Sequence, residues 1–484
     1  MSELLEQLRK AVGETNVLDG EAVHADYTHD ETLTVAPVRP LVLVRPGSTS
    51  EVAEVLRLAS EHEVPVVARG SGTGLSGAAV PVADGILLAF DRMNRIIEID
   101  VENQVAVVEP GVTLEQLNGE LTPLGLIYPV SPGEQSASLG GNVGTNAGGM
   151  RAVRYGVTRH HVLGLEVVLA DGTVLRTGGK FVKCSTGYDL TQLLIGSEGT
   201  LAVTTEVMVK VHPRLTETAT VLAPFGTLAE VTHAVPRIVV SGIDPTILEY
   251  ADALVLGSMT GAAGLDLGIP DEVKEAAQAY LIVVLEQSSA DRLDEDVERL
   301  GTLLTDLGAV EVYVLPPHAG ADLITARERL FFVTKAAGAD DILDAVIPRA
   351  AITDYLARVG ELAAQHGSFV LGCGHVGDGN VHLAVFQPDV EQRKAVTREI
   401  LRAAAAAGGA VSGEHGVGTE KVPYFLELAD PTALALMRSI KKVFDPKGIL
   451  GPDRVFGPSV TAASPTTSSQ PTTSSSTAES GENS

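Results

Sequence analysis

The stretch Arg69-Gly70-Ser71-Gly72-Thr73-Gly74-Leu75-Ser76-Gly77 places four glycines directly after a predicted strand over 64–68. Its second half fits the pattern G-x-G-x-x-G, which normally opens a dinucleotide-binding helix. That helix has no room to form here, because Pro81 and a predicted turn at 84–85 follow at once. The stretch therefore predicts a bare loop whose backbone N–H groups, helped by its serine and threonine hydroxyls, cradle a diphosphate.

Two further glycine-rich stretches follow. Residues 131–149 read SPGEQSASLGGNVGTNAGG, and residues 186–200 read TGYDLTQLLIGSEGT. Backbone with so little side chain can lie flat against a planar ligand, while Asn and Thr side chains bind its edge. Three such loops in one half of the chain predict a large cofactor site.

The regions around these loops divide the chain. A β-α-β unit with a strand at 41–44 and a helix capped by Ser50 precedes the first loop, and short strands continue to about residue 212. Beyond 216 strands alternate with long helical patterns, which predicts an α+β domain with a mixed or antiparallel sheet. We therefore expect a helical lead-in over 1–35, a cofactor domain over 36–215, a second domain over 216–456 and a disordered Ser/Thr/Pro-rich tail over 457–484. The helical patterns lie at 291–307, 319–335, 351–366 and 389–407.

Composition narrows the function classes. The chain of 484 residues carries 62 acidic against 35 basic residues, a net charge of −27, which disfavours nucleic acid as a partner. No long apolar run predicts a signal peptide or membrane span, so we expect a cytoplasmic protein. The two cysteines, Cys184 and Cys373, are expected to be reduced core residues.

A second set of polar residues lies in 369–383, FVLGCGHVGDGNVHL, which predicts a β-hairpin about a turn at Asp378-Gly379. In that register His375 faces His382 directly, and Asn380 shares their face of the sheet. Two imidazoles so placed can hold one metal ion. A pair of ordinary buried histidines is the alternative interpretation.

The stretch Ser412-Gly413-Glu414-His415-Gly416 adds a carboxylate and another imidazole on a glycine-bounded loop. Neighbouring side chains of extended backbone point to opposite sides, so Glu414 and His415 can serve different tasks. We expect Glu414 to complete a site with His375 and His382, a two-His-one-carboxylate set suited to Zn²⁺ or Mn²⁺. His415 is then free to act as a base.

The motifs RGSGTGLSGAAV, GGNVGTNAGGMRAVRYGVTRHHVLGLEVVLADGT and TGYDLTQLLIGSEGT together resemble the FAD-binding domain of the vanillyl-alcohol oxidase family. Within that family the chain is most similar to the group of glycolate oxidase, D-lactate dehydrogenase and D-2-hydroxyglutarate dehydrogenase. GHVGDGNVHL and GEHGVGTEK resemble the C-terminal motifs of the group, which carry a divalent metal in the hydroxyglutarate branch. The resemblance implies an α+β protein with a two-part FAD-binding domain and a substrate (cap) domain with a mostly antiparallel sheet.

The resemblance also implies a set of site residues. The first loop wraps the FAD diphosphate and the second lies along the flavin, and since the first loop has no His, non-covalent FAD is expected. The predicted FAD-binding residues are Arg69, Gly70, Ser71, Gly72, Thr73, Gly74, Leu75, Ser76, Pro132, Ser138, Gly141, Asn142, Thr145, Asn146, Gly148, Glu198 and Gly199.

For the substrate, the segment beginning at Arg327 corresponds to the one that supplies a carboxylate-binding arginine in relatives, although Arg329 is equally plausible by composition. Asn380 is a second predicted substrate contact. Relatives of the hydroxyglutarate branch carry a Thr and a Lys where this chain has Phe331 and Ile342. The resemblance therefore favours a small or apolar monocarboxylate over a dicarboxylate.

The predicted function is oxidation of a D-2-hydroxy acid, D-lactate or glycolate first, by an FAD enzyme in which His415 takes the hydroxyl proton. The electron acceptor is expected to be a quinone, a cytochrome or an electron-transfer protein, and the protein to be a homodimer or part of a larger complex. Two alternatives stay open: an oxidase of another alcohol or sugar that uses O₂, and a non-catalytic FAD-binding component of a complex.

Overall fold

The computed structural model describes residues 2–457, so the predicted tail lies, apart from its first residue, outside the described residues. Three sheets of four or more strands organise this part of the chain, two in its N-terminal half and one in its C-terminal half. None of the helices among residues 2–457 is both long enough and apolar enough to cross a lipid bilayer.

The first sheet has the order β1-β2-β4-β3, with β1 antiparallel and the other three strands parallel. Helix α2 packs against it through Val52, Val55 and other apolar residues on one face, as predicted. Its N-cap is Ser48 and not Ser50, because the Ser48 hydroxyl accepts the N–H of Glu51. The elements are α1 (Ser2–Val12), β1 (Val17–Asp19), β2 (Val42–Val44), α2 (Thr49–His62), β3 (Val66–Arg69) and β4 (Ile86–Ala89).

The second sheet is antiparallel, with the order β5-β6-β10-β8-β9, and β7 pairs with β11 beside it. Cys184 was expected in the core but lies exposed on the loop after β9, whereas Cys373 is buried. The elements are β5 (Ile96–Asp100), β6 (Val105–Val108), α3 (Leu114–Leu121), β7 (Leu126–Ile127), α4 (Leu139–Thr145), α5 (Ala152–Tyr155), β8 (Val162–Val168), β9 (Val174–Gly178), α6 (Leu190–Leu194), β10 (Val203–Lys210) and β11 (His212–Pro213).

The third sheet has seven strands in the order β15-β12-β14-β13-β17-β18-β16, and every neighbouring pair is antiparallel, which confirms the predicted sheet type. Its strands are β12 (Glu217–Phe225), β13 (Ile247–Asp252), β14 (Ala279–Gln287), β15 (Tyr313–Leu315), β16 (Asp341–Val346), β17 (Phe369–Gly374) and β18 (Asn380–Phe386). The helices that lie between these strands or directly after β18 are α7 (Leu228–Val240), α8 (Ala253–Ala263), α9 (Asp271–Ala276), α10 (Ala290–Asp306), α11 (Pro317–Glu328), α12 (Leu330–Ala336), α13 (Ile352–Gln365) and α14 (Val390–Ala406). The helical pattern predicted over 319–335 is thus two helices that meet at Arg329.

After α14 the chain returns to the N-terminal half of the molecule. Helices α15 (Val422–Leu428) and α16 (Pro431–Phe444) follow, and Ile440 and Phe444 pack against the core of the second sheet. The N–H of Val66 on β3 then donates to the carbonyl of Ile449 at 2.7 Å. The segment 412–420, which we call the Glu-His loop, contacts both halves of the molecule: Asp344 on β16 accepts the N–H of His415, and the Ser76 carbonyl accepts the N–H of Thr419.

Two expectations about local backbone are wrong. Residues 139–145, expected to lie flat, form helix α4, whose Ser138 cap accepts the N–H of Gly141. In the hairpin His382 pairs with Cys373 and not with His375, because residues 375–379 form a longer turn in which the His375 carbonyl accepts the N–H groups of residues 378 to 380. His375 is therefore carried on the turn beyond the end of β17.

Candidate active site

A long cleft lies between the first two sheets and is lined by the three glycine-rich stretches. Among residues 2–457, no protein acceptor takes the backbone N–H groups of residues 71–75, which line this cleft. The buried side-chain amide nitrogen of Asn142 also lines the cleft and has no partner in the described part of the chain. Unpaired donors along a backbone loop fit a diphosphate, so the residues present fit an FAD.

The predicted FAD-binding residues fall into two groups. Those that line the cleft are Arg69, Gly70, Ser71, Gly72, Thr73, Gly74, Leu75, Pro132, Ser138, Gly141, Asn142, Thr145, Glu198 and Gly199. Ser76, Asn146 and Gly148 do not line it. The Ser76 hydroxyl lies 3.0 Å from the carbonyls of His415 and Gly416, and Asn146 ends helix α4 in a left-handed conformation.

Several cleft residues support the loop rather than present a free side chain. The guanidinium of Arg69 donates to the carbonyls of Asp26 and His29, and the Ser71 hydroxyl donates to the carbonyl of Ser136. The carboxylate of Glu198 accepts the N–H groups of Val417 and Gly418 at 2.8 and 2.7 Å. These contacts hold the unpaired N–H groups of the first loop in place.

A second cavity adjoins the cleft. Leu75, Pro132, Glu414 and His415 line both spaces, so the two meet at the Glu-His loop. The second cavity is also lined by His375, His382 and Arg327. The predicted catalytic and metal-ligating side chains therefore all line the cavity that adjoins the cleft.

The predicted metal ligands come together. One nitrogen of His375, one of His382 and one oxygen of Glu414 all lie within 4.8 Å of one another. The Glu414 oxygen Oε1 is 3.2 Å from Nε2 of His375 and 3.3 Å from Nε2 of His382. The loop can approach this closely because residue 148 is glycine: a Cβ there would stand 2.8 Å from a Glu414 oxygen. The donor set and spacing fit a divalent cation of the zinc or manganese kind.

Glu249 on β13 orients this cluster. It is fully buried, and its Oε1 is hydrogen-bonded to Nδ1 of His375, which turns Nε2 toward Glu414. Burial alone would lower the pKa of His375, but the two carboxylates on its ring raise that pKa well above its usual range. Burial would likewise raise the pKa of Glu414, and the neighbouring imidazoles instead lower it.

The same Glu249 pairs with the candidate substrate arginine. Nη2 of the buried Arg327 lies 2.8 Å from Oε2 of Glu249. Nε of Arg327 is buried and has no hydrogen-bond partner within residues 2–457, and the residue itself lines the cavity. Arg329, the alternative, does not line this cavity, so the geometry favours Arg327.

Asp344 on β16 is hydrogen-bonded to the backbone of the Glu-His loop. Its Oδ2 accepts the N–H groups of Gly413, Glu414 and His415 at 2.8 to 3.0 Å. Its other oxygen accepts the side-chain amide of Asn380 at 2.6 Å. The side chain of Asn380, which was predicted to bind substrate, is therefore hydrogen-bonded to Asp344, and Asn380 does not line the cavity.

His415 stands where the cleft and the cavity meet. Burial lowers the pKa of His415 to about 4, although the nearby Asp344 carboxylate acts in the other direction. Its Nδ1 is 3.9 Å from Asp344 and has no hydrogen-bond partner in the described chain. This nitrogen is buried on the Asp344 side, and a neutral imidazole that lines the cavity can accept a proton from a group there through its other ring nitrogen.

Sequence reasoning missed Glu249 and Asp344. Each lies in the interior of a strand whose other residues, apart from one terminal Asp, are apolar or aromatic, ILEYAD and DILDAV, and both have no exposed surface. A charge at such a position is costly unless it is paired, so each acid in a buried strand marks a built polar site. That signal was available in the sequence.

Comparison with known proteins agrees with this architecture. The family model "FAD binding domain" matches residues 40–178, and "FAD linked oxidases, C-terminal domain" matches residues 214–455. The solved structure of p-cresol methylhydroxylase superposes with a TM-score of 0.79 at 20% identity, covering 94% of this chain and 97% of that one. The fold is therefore that of the vanillyl-alcohol oxidase type.

Relatives in sequence narrow the class further. An uncharacterised FAD-linked oxidoreductase from Mycobacterium tuberculosis is 54% identical, covering 93% of this chain and 98% of the relative. The D-lactate dehydrogenase of Anaerostipes hadrus is 35% identical over 93% of this chain and 96% of its own length. The glycolate oxidase subunit GlcD of Bacillus subtilis is 35% identical over 92% and 95%. The chain belongs to the FAD-linked oxidoreductase family with these proteins.

Proposed function

We propose that this protein oxidises a D-2-hydroxy acid to the 2-oxo acid, with FAD held non-covalently in the cleft. The observation that carries the proposal is the convergence of a carboxylate-binding arginine, a neutral histidine and a two-His-one-carboxylate set at the point where cleft and cavity meet. The relatives named as a D-lactate dehydrogenase and as part of a glycolate oxidase support the choice of substrate class.

Each side chain has a task in this reaction. Arg327 binds the substrate carboxylate through donors that Glu249 does not use. His415 takes the hydroxyl proton as the C2–O bond becomes a carbonyl, and its low pKa keeps the ring neutral and ready to accept it. Bound FAD supplies the oxidant, accepting the hydride that leaves C2 with its electron pair.

His375, His382 and Glu414 would hold a divalent cation in this proposal. Such a cation would polarise the substrate hydroxyl and make its proton easier to remove. Glu249 keeps Nε2 of His375 directed at the site, and Glu414 places its carboxylate between the two imidazoles. Metal analysis of stripped and reconstituted protein tests this part: full activity without bound metal would remove the role.

The test of the whole proposal is anaerobic reduction of the bound flavin by D-2-hydroxy acids. We expect wild type to lose the oxidised flavin absorbance on addition of substrate, and His415→Ala to retain FAD but reduce it at least ~100-fold more slowly. His366→Ala is the control, because His366 lies outside the cavity near Gln392 on α14. Undiminished reduction in His415→Ala would refute its role as base. An FAD-loaded wild type that no hydroxy acid reduces would favour the non-catalytic alternative.

A further inference from the structure

The sheet residues that line the second cavity are polar near His382 and apolar further along the strands. On β18 the residues His382, Ala384 and Phe386 alternate toward one face of the sheet, and all three line the cavity. Ala384 pairs with Leu371 on β17 and with Ile342 on β16, and these two residues also line it. A polar row at His382 is thus followed by an apolar row, Leu371, Ala384 and Ile342, and then by Phe386.

The spacing of these rows limits the substrate. Two residues along a strand span ~7 Å, so the apolar row lies ~7 Å and Phe386 ~14 Å from the His382 position. Apolar groups are in contact at ~4 Å, and each carbon–carbon bond adds at most ~1.5 Å. With its hydroxyl at the polar row, a methyl substituent reaches only the near edge of the apolar row, because the C–O and C–C bonds and the contact distance together add up to about 7 Å. A substituent of three or more carbons extends along it.

The helices that line the cavity contribute mainly apolar side chains. Leu330, Phe331 and Val333 of α12 and Val255 of α8 line it, and Ser258 and Thr334 are the polar lining residues on these two helices. Of the Lys and Arg side chains in the described chain, Arg327 alone lines this cavity, and Glu249 already neutralises part of its charge. Apart from the proposed metal site, the cavity therefore offers one basic side chain for one carboxylate and none for a second.

We infer that the substrate of this site is a D-2-hydroxy acid with a branched aliphatic or aromatic side chain of three or more carbons. This inference rests on the proposed function and deepens it. The oxidation itself is unchanged: the hydride leaves C2 for FAD, the hydroxyl proton goes to His415, and the side chain takes no part. The substrate side chain lies along the apolar row and under α12.

The first experiment measures kcat/KM for anaerobic flavin reduction with glycolate, D-lactate, D-2-hydroxyisocaproate, D-3-phenyllactate and D-2-hydroxyglutarate. A methylene in an apolar pocket changes kcat/KM by about 10-fold or more, so we expect the branched or aromatic acid to exceed D-lactate by at least ~10-fold. Equal or higher values for glycolate, D-lactate or D-2-hydroxyglutarate would overturn the inference while leaving the proposed function standing. No reduction by any of them, with FAD bound, would overturn the proposed function itself.

A matched pair of variants places the side chain. Phe331 lines the cavity, whereas its neighbour Phe332 is exposed and lines a separate surface depression. We expect Phe331→Ala to lower kcat/KM for the preferred branched or aromatic acid at least ~10-fold more than it lowers kcat/KM for D-lactate. Phe332→Ala should leave both values unchanged, and a proportional loss for both substrates in Phe331→Ala would contradict the placement.

A second variant keeps the inference testable should Phe331→Ala fold poorly. Ile342→Lys sets an ammonium group in the apolar row, beside Ala384. We expect it to lower kcat/KM for the branched acid and to raise kcat/KM for D-2-hydroxyglutarate, so that their ratio falls at least ~100-fold. An unchanged ratio in a folded, FAD-loaded variant would overturn the inference.

Discussion

At the scale of single residues, two buried acids organise the site without facing the substrate. Asp344 gathers the backbone of the Glu-His loop, and Glu249 aligns His375 while pairing with Arg327. A carboxylate that satisfies several N–H groups at once holds a loop in one conformation, because each of those donors would otherwise be left unpaired. The proposed catalytic side chains are thus positioned by charges that sequence motifs do not display.

Removing the charge of Asp344 tests this interpretation. Lys421, itself buried, lies 3.5 Å from Asp344, so Asp344→Asn leaves an unpaired cation and points an amide at three N–H groups. We expect a loss of ~3–5 kcal/mol in the free energy of unfolding and at least ~100-fold in kcat/KM. Urea unfolding and flavin reduction measure the two effects.

The control for that variant is Asp354→Asn, a change of the same kind at an exposed position of α13. It should alter the free energy of unfolding by less than ~0.5 kcal/mol and leave turnover unchanged. If Asp344→Asn behaves like this control, the loop is held by something other than the carboxylate.

Glu420 provides a pH prediction. Burial, and then the charge of nearby Asp341, raises the pKa of Glu420 to about 8. The folded protein therefore binds a proton that the unfolded chain, with a glutamate pKa of about 4.3, releases. The unfolding free energy consequently falls as the pH rises from ~4.3 to ~8 and then levels off with respect to this group.

Glu420→Gln mimics the protonated form and should flatten that dependence, while Thr32 keeps an acceptor for its hydroxyl. The measurement is the urea midpoint at about pH 5 and about pH 8, where wild type should lose more stability than the variant. Glu298→Gln, at an exposed position of α10, serves as the comparison and should follow wild type. Parallel curves for Glu420→Gln and wild type would contradict the raised pKa.

At the scale of elements, the sequence predicts types better than registers. The patterns of the C-terminal half predicted a mixed or antiparallel sheet, and the sheet is antiparallel throughout, while the helices over 351–366 and 389–407 are present within one residue of the expected ends. The hairpin register was missed because Asp378-Gly379 fits a two-residue turn, whereas the His375 carbonyl organises a longer one. Helix α4 was missed because glycines disfavour a helix that tertiary packing nevertheless imposes: the Gly140 N–H donates to the carbonyl of Pro110 at 2.8 Å.

Two glycines in neighbouring elements should respond with opposite signs to alanine. Gly379, in the His375 turn, has φ of +96°, and a Cβ there would stand 2.2 Å from the Ile347 carbonyl oxygen. Gly360 lies inside helix α13 with nothing within 4 Å of its Cβ position. We expect Gly360→Ala to raise the free energy of unfolding by ~0.5–1 kcal/mol and Gly379→Ala to lower it by more than ~1 kcal/mol. Urea unfolding decides, and a stabilising Gly379→Ala would show that the turn is not strained by a side chain.

At the scale of the molecule, the site belongs to neither half alone. The cleft is built by the N-terminal sheets, the second cavity by the seven-stranded sheet and its helices, and the Glu-His loop lies on both. The glycine stretches predicted which half would hold the cofactor because their backbone pattern is local. The convergence of Glu249, Arg327 and His375 could not be predicted without relatives, because it depends on how distant strands align in one sheet.

The contact between the halves at Glu198 predicts that cofactor affinity depends on the C-terminal loop. Glu198 lines the FAD cleft, yet both of its carboxylate oxygens accept N–H groups from residues 417 and 418, which follow closely after His415. Glu198→Gln replaces one acceptor by a donor that faces an N–H group, so one hydrogen bond is lost and a repulsive contact replaces it. Hydrogen bonds to a charged group contribute ~1.5–3 kcal/mol, so we expect the Kd for FAD to rise ~10–100-fold and the melting temperature gained on adding FAD to shrink with it. Glu206→Gln on β10, in the same half but outside the cleft lining, should leave both values at the wild-type level. If Glu198→Gln binds FAD as tightly as wild type, the contact between Glu198 and the loop does not contribute to FAD affinity. The two halves would then be coupled through Ser76, whose carbonyl accepts the N–H groups of Thr419 and Glu420.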